Sequence, residues 1–164
     1  MSKDLISRLN AGPVICAEGY LFAMERRGYL QAGAFVPEVV LDHPEVVTQL
    51  HREFIRSGSD VVQAFTYYGH REKLKIIGKE DKLEALQKNA LKIAKDAANE
   101  FPDLDLMVAG NVANTCVYDP NDNSTIEECR VMFEEQVAWA KEAGVDFIIA
   151  ETLSWLEEAK IALK

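Results

Sequence analysis

Four short apolar runs, separated by stretches with helical periodicity, constrain the fold of this chain more than any other feature. They cover residues 13–17, 60–65, 105–110 and 146–150. Continuous apolar runs of this length are typical of strands buried on both faces of a parallel sheet. We therefore predict four parallel strands in chain order, because crossovers between parallel strands are right-handed and join neighbouring strands.

Amphipathic patterns between the runs predict the crossover helices. One pattern begins after Pro44 and stops near Gly58, and a second is an apolar stripe over residues 83–97. A third opens at Ser124, which forms a capping-box pattern with Glu127, and ends at Gly144. The repeated strand–helix unit is typical of a (β/α) array.

Two architectures contain such an array. A doubly wound domain is expected to carry a glycine-rich phosphate loop, and the sequence has neither GxGxxG nor GxxxxGK[ST]. The other architecture is the (β/α)8 TIM barrel, of which four units make one half. We therefore predict an α/β fold in which residues 1–164 form a single half-barrel domain. The last helical pattern has no Gly, Asn or Pro stop, which indicates a truncated barrel.

Composition argues against several classes of partner. The formal net charge is −9, whereas nucleic acids and anionic membranes attract clustered Lys and Arg. No apolar run approaches the roughly 18 residues of a membrane span, and no secretory signal pattern is present. Three widely spaced cysteines, Cys16, Cys116 and Cys129, indicate reduced thiols. We expect a cytoplasmic protein with no nucleic-acid or membrane partner and no metal site of its own.

Polar and aromatic residues follow the predicted strand ends, where ligands bind in both architectures. Carboxylates suit an ammonium, and aromatic faces suit a methylated cation, so a small zwitterion is the predicted ligand. The candidate binding residues are Glu18, Tyr67, Tyr68, Asn111, Glu151 and Thr152. Structural interpretations stand beside these: Glu151 as a helix cap, the tyrosines as rim packing, Asn114 as a turn former, and His70 as the start of a solvated helix.

Three segments resemble the homocysteine S-methyltransferase family, most closely its betaine-dependent members. They are ERRGYLQAG (25–33), HPEVVTQLHREFIRSGSDVVQAFTYY (43–68) and DFIIAET (146–152). The resemblance extends over nearly the whole chain and implies the N-terminal half of a (β/α)8 barrel. It implies methyl transfer from an onium donor such as betaine to zinc-activated homocysteine, giving methionine. The zinc ligands it implies lie beyond residue 164, so the isolated chain is expected to be inactive.

The resemblance also assigns roles to particular residues. Glu151 matches the glutamate that holds the homocysteine amino group. Tyr67 and Tyr68 match the aromatic pair that lines the betaine side of the site. Phe35 matches the aromatic residue of an early loop, where betaine-type members usually have tryptophan.

Two departures and two alternatives remain open. Ala17 stands where the family has an aspartate, with Glu18 one residue later, and Ala64 stands where a threonine is common. The sequence therefore leaves open whether Glu18 replaces the aspartate. The alternative function is a non-catalytic half-barrel that pairs with itself, as a homo-oligomer, or with a separate C-terminal half. The other alternative is a truncated piece of an ordinary enzyme.

Overall fold

Helices and strands alternate along most of the chain. The computed structural model describes residues 4–30 and 33–164, so residues 1–3 and 31–32 of the predicted domain lie outside the described residues. The helices are α1 (Leu5–Ala11), α2 (Tyr20–Arg26), α3 (Val39–Asp42), α4 (Pro44–Arg56), α5 (Arg71–Ile76), α6 (Leu83–Asn99), α7 (Ser124–Ala143) and α8 (Leu156–Ala162), with a 3-10 turn at Glu80–Lys82. The strands are β1 (Val61–Gln63), β2 (Met107–Ala113) and β3 (Phe147–Glu151).

The three strands form a parallel sheet in the order β1-β2-β3. The first predicted strand, residues 13–17, contributes only an isolated parallel bridge from Cys16 to Val61. The predicted order is confirmed, but the prediction of a full strand there is wrong. Pro13 has no N–H to donate, and Gly19 adopts a left-handed φ of 79° that begins α2, so little chain is left to pair.

Burial distinguishes β1 and β2 from β3. Every residue of β1 and β2 is buried, as predicted. The prediction that residues 146–150 are buried on both faces is wrong, because β3 is half-buried and Ala150 is exposed. Within the described part of the chain, β3 pairs only with β2, so one of its edges has no neighbour.

Helices cover one face of this sheet. Val62 and Val108 point to that face and pack with Leu91 of α6 and Ala140 of α7. Phe133 and neighbouring residues of α7 form a second apolar cluster around Val112. The predicted stripe of α6 is confirmed, since the residues that form it are buried: Leu83, Leu86, Ala90, Ile93, Ala94 and Ala97. No helix within the described ranges is long and apolar enough to cross a bilayer.

The ends of α7 test two predictions of helix termini. Gly144 ends the helix with a left-handed φ of 68°, as predicted. The capping box at Ser124 is wrong, because Ser124 is already the first helical residue and its side chain caps nothing. Instead the Ser124 N–H and hydroxyl donate to Oδ1 of Asp122, over 2.9 and 2.7 Å. The Ser124 N–H is therefore already bonded to Asp122 and is not free for the Glu127 carboxylate, as a capping box requires.

Candidate functional site

A cleft of about 430 Å³ opens at the carboxyl ends of β1 and β3. Six of the seven predicted binding residues line it: Glu18, Phe35, Tyr67, Tyr68, Glu151 and Thr152. The seventh, Asn111, is buried behind the cleft and donates a hydrogen bond from Nδ2 to Oε1 of Glu151. The sequence-predicted residues therefore converge on one place, which also brings carboxylates and aromatic rings into the same cavity.

Alternation along the strands explains why the polar residues meet. Side chains two residues apart in a strand point to the same face of the sheet. Gln63, Asn111 and Glu151 each come two residues after an apolar residue of one cluster: Val61, Ala109 and Ile149. They therefore project from the face opposite the helices. The floor of this face is apolar, and its upper edge is polar.

Two amides orient the Glu151 carboxylate. Oε1 accepts from Nε2 of Gln63 over 3.0 Å and from Nδ2 of Asn111. Neither bond uses Oε2, so the carboxylate keeps a second oxygen for a ligand. Burial raises the pKa of Glu151 above its ordinary value, and Glu18 raises the pKa further, while the two amide bonds lower it. The carboxylate is thus partly desolvated, which strengthens its interaction with a cation.

The same amides leave two acceptors without a partner. Oε1 of Gln63 and Oδ1 of Asn111 are buried, and neither has a hydrogen-bond partner among the described residues. Leaving a buried acceptor unpaired costs about 1–3 kcal/mol, so native structures normally provide a donor. An ammonium group carries only donors. A primary ammonium near Glu151 is therefore the ligand group that this surplus of acceptors suits.

Aromatic rings form the other wall of the cleft. The ring centroids of Tyr67 and Tyr68 are 4.2 Å apart, and Phe35 lines the same cavity. The Lys73 ammonium lies 4.0 Å from the Tyr68 ring centroid, so this ring already takes part in a cation–π contact. Burial is the main cause that raises the pKa of Tyr67 to about 12, which keeps its hydroxyl protonated at neutral pH.

Sequence reasoning missed several cleft residues. Tyr20 and Phe22 of α2, and Gln63 and Phe65 around β1, also line the cavity. Gln63 carried a usable signal, because it is the one polar residue inside the apolar run VVQAF. Phe22 is 61 % exposed at the cleft, and exposure of a large aromatic cannot be inferred from helical periodicity alone.

Backbone strain is concentrated in the loops around the cleft. Among the described residues, the non-glycine residues with positive φ are Phe35 (55°), Tyr68 (57°), Cys116 (64°) and Thr152 (54°). Three of the four line the cleft. Such conformations cost roughly 1–3 kcal/mol each and are found mainly at functional sites. The strain supports a binding role for this end of the sheet.

The zinc ligands that the family resemblance implies lie beyond residue 164, and the described cysteines do not form a thiolate group in their place. All three cysteines are free, and they differ in environment, since Cys16 is half-buried, Cys116 is exposed and Cys129 is buried. Residues 4–30 and 33–164 contain no group of three or more His, Cys, Asp or Glu side chains that could hold a metal ion.

His70 is not a solvated helix start as predicted: its side chain is buried beside Tyr68.

Comparison with known proteins identifies the family. Residues 19–164 match the family described as "Homocysteine S-methyltransferase". The chain belongs to the homocysteine S-methyltransferase family. The match includes every binding residue predicted from the sequence except Glu18, which lies one position before it.

Curated relatives are similar to almost the whole of this chain. The betaine–homocysteine S-methyltransferase 1 of Bos taurus is 40 % identical over 169 residues, covering 100 % of this chain and 40 % of the bovine protein. The protein of the same name from Sus scrofa is 40 % identical over 167 residues, with 99 % of this chain and 58 % of that protein covered. The chain therefore spans between two fifths and three fifths of the length of these relatives.

A solved structure supports the fold. The metallated form of the homocysteine methyltransferase MmuM from Escherichia coli superposes with a TM-score of 0.78 at 22 % identity. The superposition covers 96 % of this chain and 60 % of that protein. At this identity the likeness shows the fold alone, and it agrees with an α/β fold built on a parallel sheet.

Proposed function

We propose that residues 1–164 form the N-terminal half of a (β/α)8 barrel that transfers a methyl group from an onium donor, such as betaine, to homocysteine, giving methionine. Family membership supports this proposal. The observation that carries it is the arrangement of Glu151, a half-buried carboxylate oriented by two amides and placed in the same cleft as a cluster of aromatic rings. The arrangement suits an amino acid on one side and a methylated cation on the other.

The amino-acid side of the cleft consists of acceptors. Glu151 binds the homocysteine ammonium through its charge, with Gln63 and Asn111 supplying the orientation and the two unpaired amide oxygens. Glu18 lines the same cleft and supplies a second negative charge, in place of the family aspartate where Ala17 stands. A charged hydrogen bond of this kind contributes about 1.5–3 kcal/mol.

The donor side consists of rings. Phe35, Tyr67 and Tyr68 offer aromatic faces to the methylated cation, and a quaternary onium has no N–H that a carboxylate could bind selectively. The Thr152 hydroxyl donates to the Glu151 carbonyl over 2.8 Å, which stabilises the turn between the two sides. In this proposal the residues hold the thiol and the methyl group in line. Such positioning lowers the barrier to a two-substrate reaction, because the entropy of bringing the two groups together is lost on binding. Activation of the thiol is assigned to no residue of this chain.

Replacing Glu151 with glutamine tests this proposal. The shape is kept while the charge is removed, so homocysteine binding should weaken about ten- to a hundredfold. Betaine binds on the aromatic side, so its affinity should change much less. The matched control is Glu157→Gln on α8, because Glu157 is exposed and pairs only with Lys160 at 2.7 Å. Isothermal titration of the full-length protein that contains this half-barrel, with both ligands, measures these effects, and unchanged homocysteine affinity in Glu151→Gln contradicts the proposal.

A second candidate function rests on the open edge of β3. The strand has one paired edge within the described residues, and α8 carries Leu156, which is 70 % exposed. Unpaired edges favour association with another chain. In this alternative the chain is a non-catalytic assembly module that pairs with itself or with a separate C-terminal half. Sedimentation that shows a stable dimer, together with no binding of either ligand, favours this alternative over methyl transfer.

A further inference from the structure

One side chain outside the binding set connects the loops that follow all three strands. Asn114 follows β2, and its Nδ2 donates to the Thr152 carbonyl over 3.1 Å and to the Tyr68 hydroxyl over 3.4 Å. Its Oδ1 accepts from Sγ of Cys116 over 3.0 Å. The turn-former interpretation of Asn114 from the sequence predicts none of these bonds.

The partners of Asn114 are the strained residues. Tyr68 follows β1, Cys116 follows β2 and Thr152 follows β3, and all three have positive φ. A β-branched residue such as Thr152 rarely adopts this conformation unless surrounding bonds impose it. The Asn114 amide supplies one such bond at the Thr152 carbonyl, directly after Glu151.

The loop that carries Asn114 is itself held in place. The next residue, Thr115, donates from its N–H and from its hydroxyl to Oε1 of Glu158, each over 2.7 Å. Glu158 lies on α8 and is only 2 % exposed. Asn114 therefore projects from a backbone that a buried carboxylate fixes, which makes it a rigid link rather than a mobile one.

We propose that Asn114 is a positioning residue that sets the distance between the donor pocket and the amino-acid carboxylate. It acts through Tyr68 on the donor side and through the Glu151–Thr152 backbone on the amino-acid side. Asn114 does not line the cleft itself. This inference rests on the proposed function, because the distance matters only where two ligands must meet in line.

Asn114→Asp is the test variant. The substitution keeps the size and the acceptor for Cys116 but puts an oxygen against the Thr152 carbonyl, so the link between the loops is lost. Betaine and homocysteine binding should each weaken by roughly three- to tenfold, the usual effect of losing one neutral hydrogen bond. Asn114→Gln, which restores an amide, should recover part of both affinities. The control is Asn121→Asp in the same loop, which removes a bond to Asp119 of 3.1 Å and should change neither affinity.

A double-mutant cycle separates positioning from general damage. If Asn114 acts on the donor through Tyr68, then Asn114→Asp should have little further effect on betaine affinity in a Tyr68→Phe background. Fully additive losses overturn the positioning role. So do unchanged affinities in Asn114→Asp, or an equal loss in Asn121→Asp.

Hydrogen exchange without ligand keeps this inference distinct from the proposed function. Asn114→Asp should speed exchange in segments 66–69 and 151–154, whereas Asn121→Asp should not. If the full-length parent protein binds neither ligand while exchange changes as expected, the proposed function fails and the structural link stands. If exchange in these segments does not change, the link itself is wrong. Should Asn114→Asp fail to fold, Asn114→Gln and Tyr68→Phe carry the same comparison.

Discussion

The two faces of the small parallel sheet differ in the polarity of their side chains. The strand side chains that point toward the helices are apolar, and Val62 and Val108 form one cluster with Leu91 of α6. The other side begins as an apolar floor and ends in the polar group of Gln63, Asn111 and Glu151. The polar group includes two buried acceptors without a partner, Oε1 of Gln63 and Oδ1 of Asn111. We infer that the face toward the helices mainly provides stability, whereas the polar face carries groups that are unfavourable for stability and useful for binding.

The largest expected effect comes from the helix side. Phe133 is 2 % exposed and packs against Val112 and Cys129. Phe133→Ala should lower the free energy of unfolding by about 3–5 kcal/mol, because it removes a buried ring and leaves a cavity. Urea denaturation measures the loss. Val131→Ala on the exposed side of α7 is the control and should change stability by about 0.5 kcal/mol or less.

Phe133→Ala should not change ligand selectivity if the two faces of the sheet are independent. Titrations at a temperature where the variant stays folded should give the parent ratio of homocysteine to betaine affinity. A changed ratio means that the two faces are not independent.

A smaller effect is expected at the aromatic wall. Phe35→Leu keeps an apolar side chain but removes the ring face, so betaine affinity should fall by about two- to thirtyfold, the range expected for one cation–π contact. Homocysteine affinity should stay close to that of the parent. The control is Phe101→Leu, because Phe101 also has a cation over its ring, Arg56 at 5.8 Å, but lies away from the cleft. Equal losses of betaine affinity in both variants contradict the assignment.

The smallest effect is a shift along the pH axis. Burial raises the pKa of Glu151 above the ordinary value of 4.5, so this carboxyl protonates at a higher pH than an exposed glutamate does. Homocysteine affinity should therefore begin to fall, on acidification from neutral pH, before exposed glutamates titrate. Glu151→Gln should lack this step, and a parent profile that is flat down to pH 4.5 contradicts it.

The same pKa shift has the opposite sign for stability. A raised folded-state pKa means that the native chain binds a proton more readily than the unfolded chain does. The resulting contribution to the free energy of unfolding is fully present below the unfolded-state pKa and is lost as pH rises through the folded-state pKa. Acid therefore weakens binding at Glu151 while it relieves the cost of burying that carboxylate.

The features that depend on local periodicity could be predicted from the sequence. The order of the strands and the apolar stripe of α6 follow from the spacing of apolar residues, and both are confirmed. The convergence of Glu151 with Tyr67 and Tyr68 follows from their positions after parallel strands. Their roles in binding remain proposals.

The features that depend on long-range contacts could not be predicted. The exposure of β3 depends on what pairs with its free edge, which the pattern of residues 146–150 does not encode. His70 has the pattern of a surface residue, but the fold buries its side chain beside Tyr68. Asn114 has the pattern of a turn former. Its bonds to Tyr68 and Thr152 could not be predicted, because they join residues 46 and 38 positions away.

The central claim is that one cleft binds an amino acid and an onium together at the strand ends. As the most direct test, the full-length protein that contains this half-barrel should be ¹⁵N-labelled, titrated with betaine and then homocysteine, and followed by two-dimensional NMR. The account predicts saturable shifts around Phe35, Tyr67 and Tyr68 with betaine, and around Glu18 and Glu151 with homocysteine. Shifts confined to the helix side of the sheet, or no saturable shift near Glu151, would contradict it.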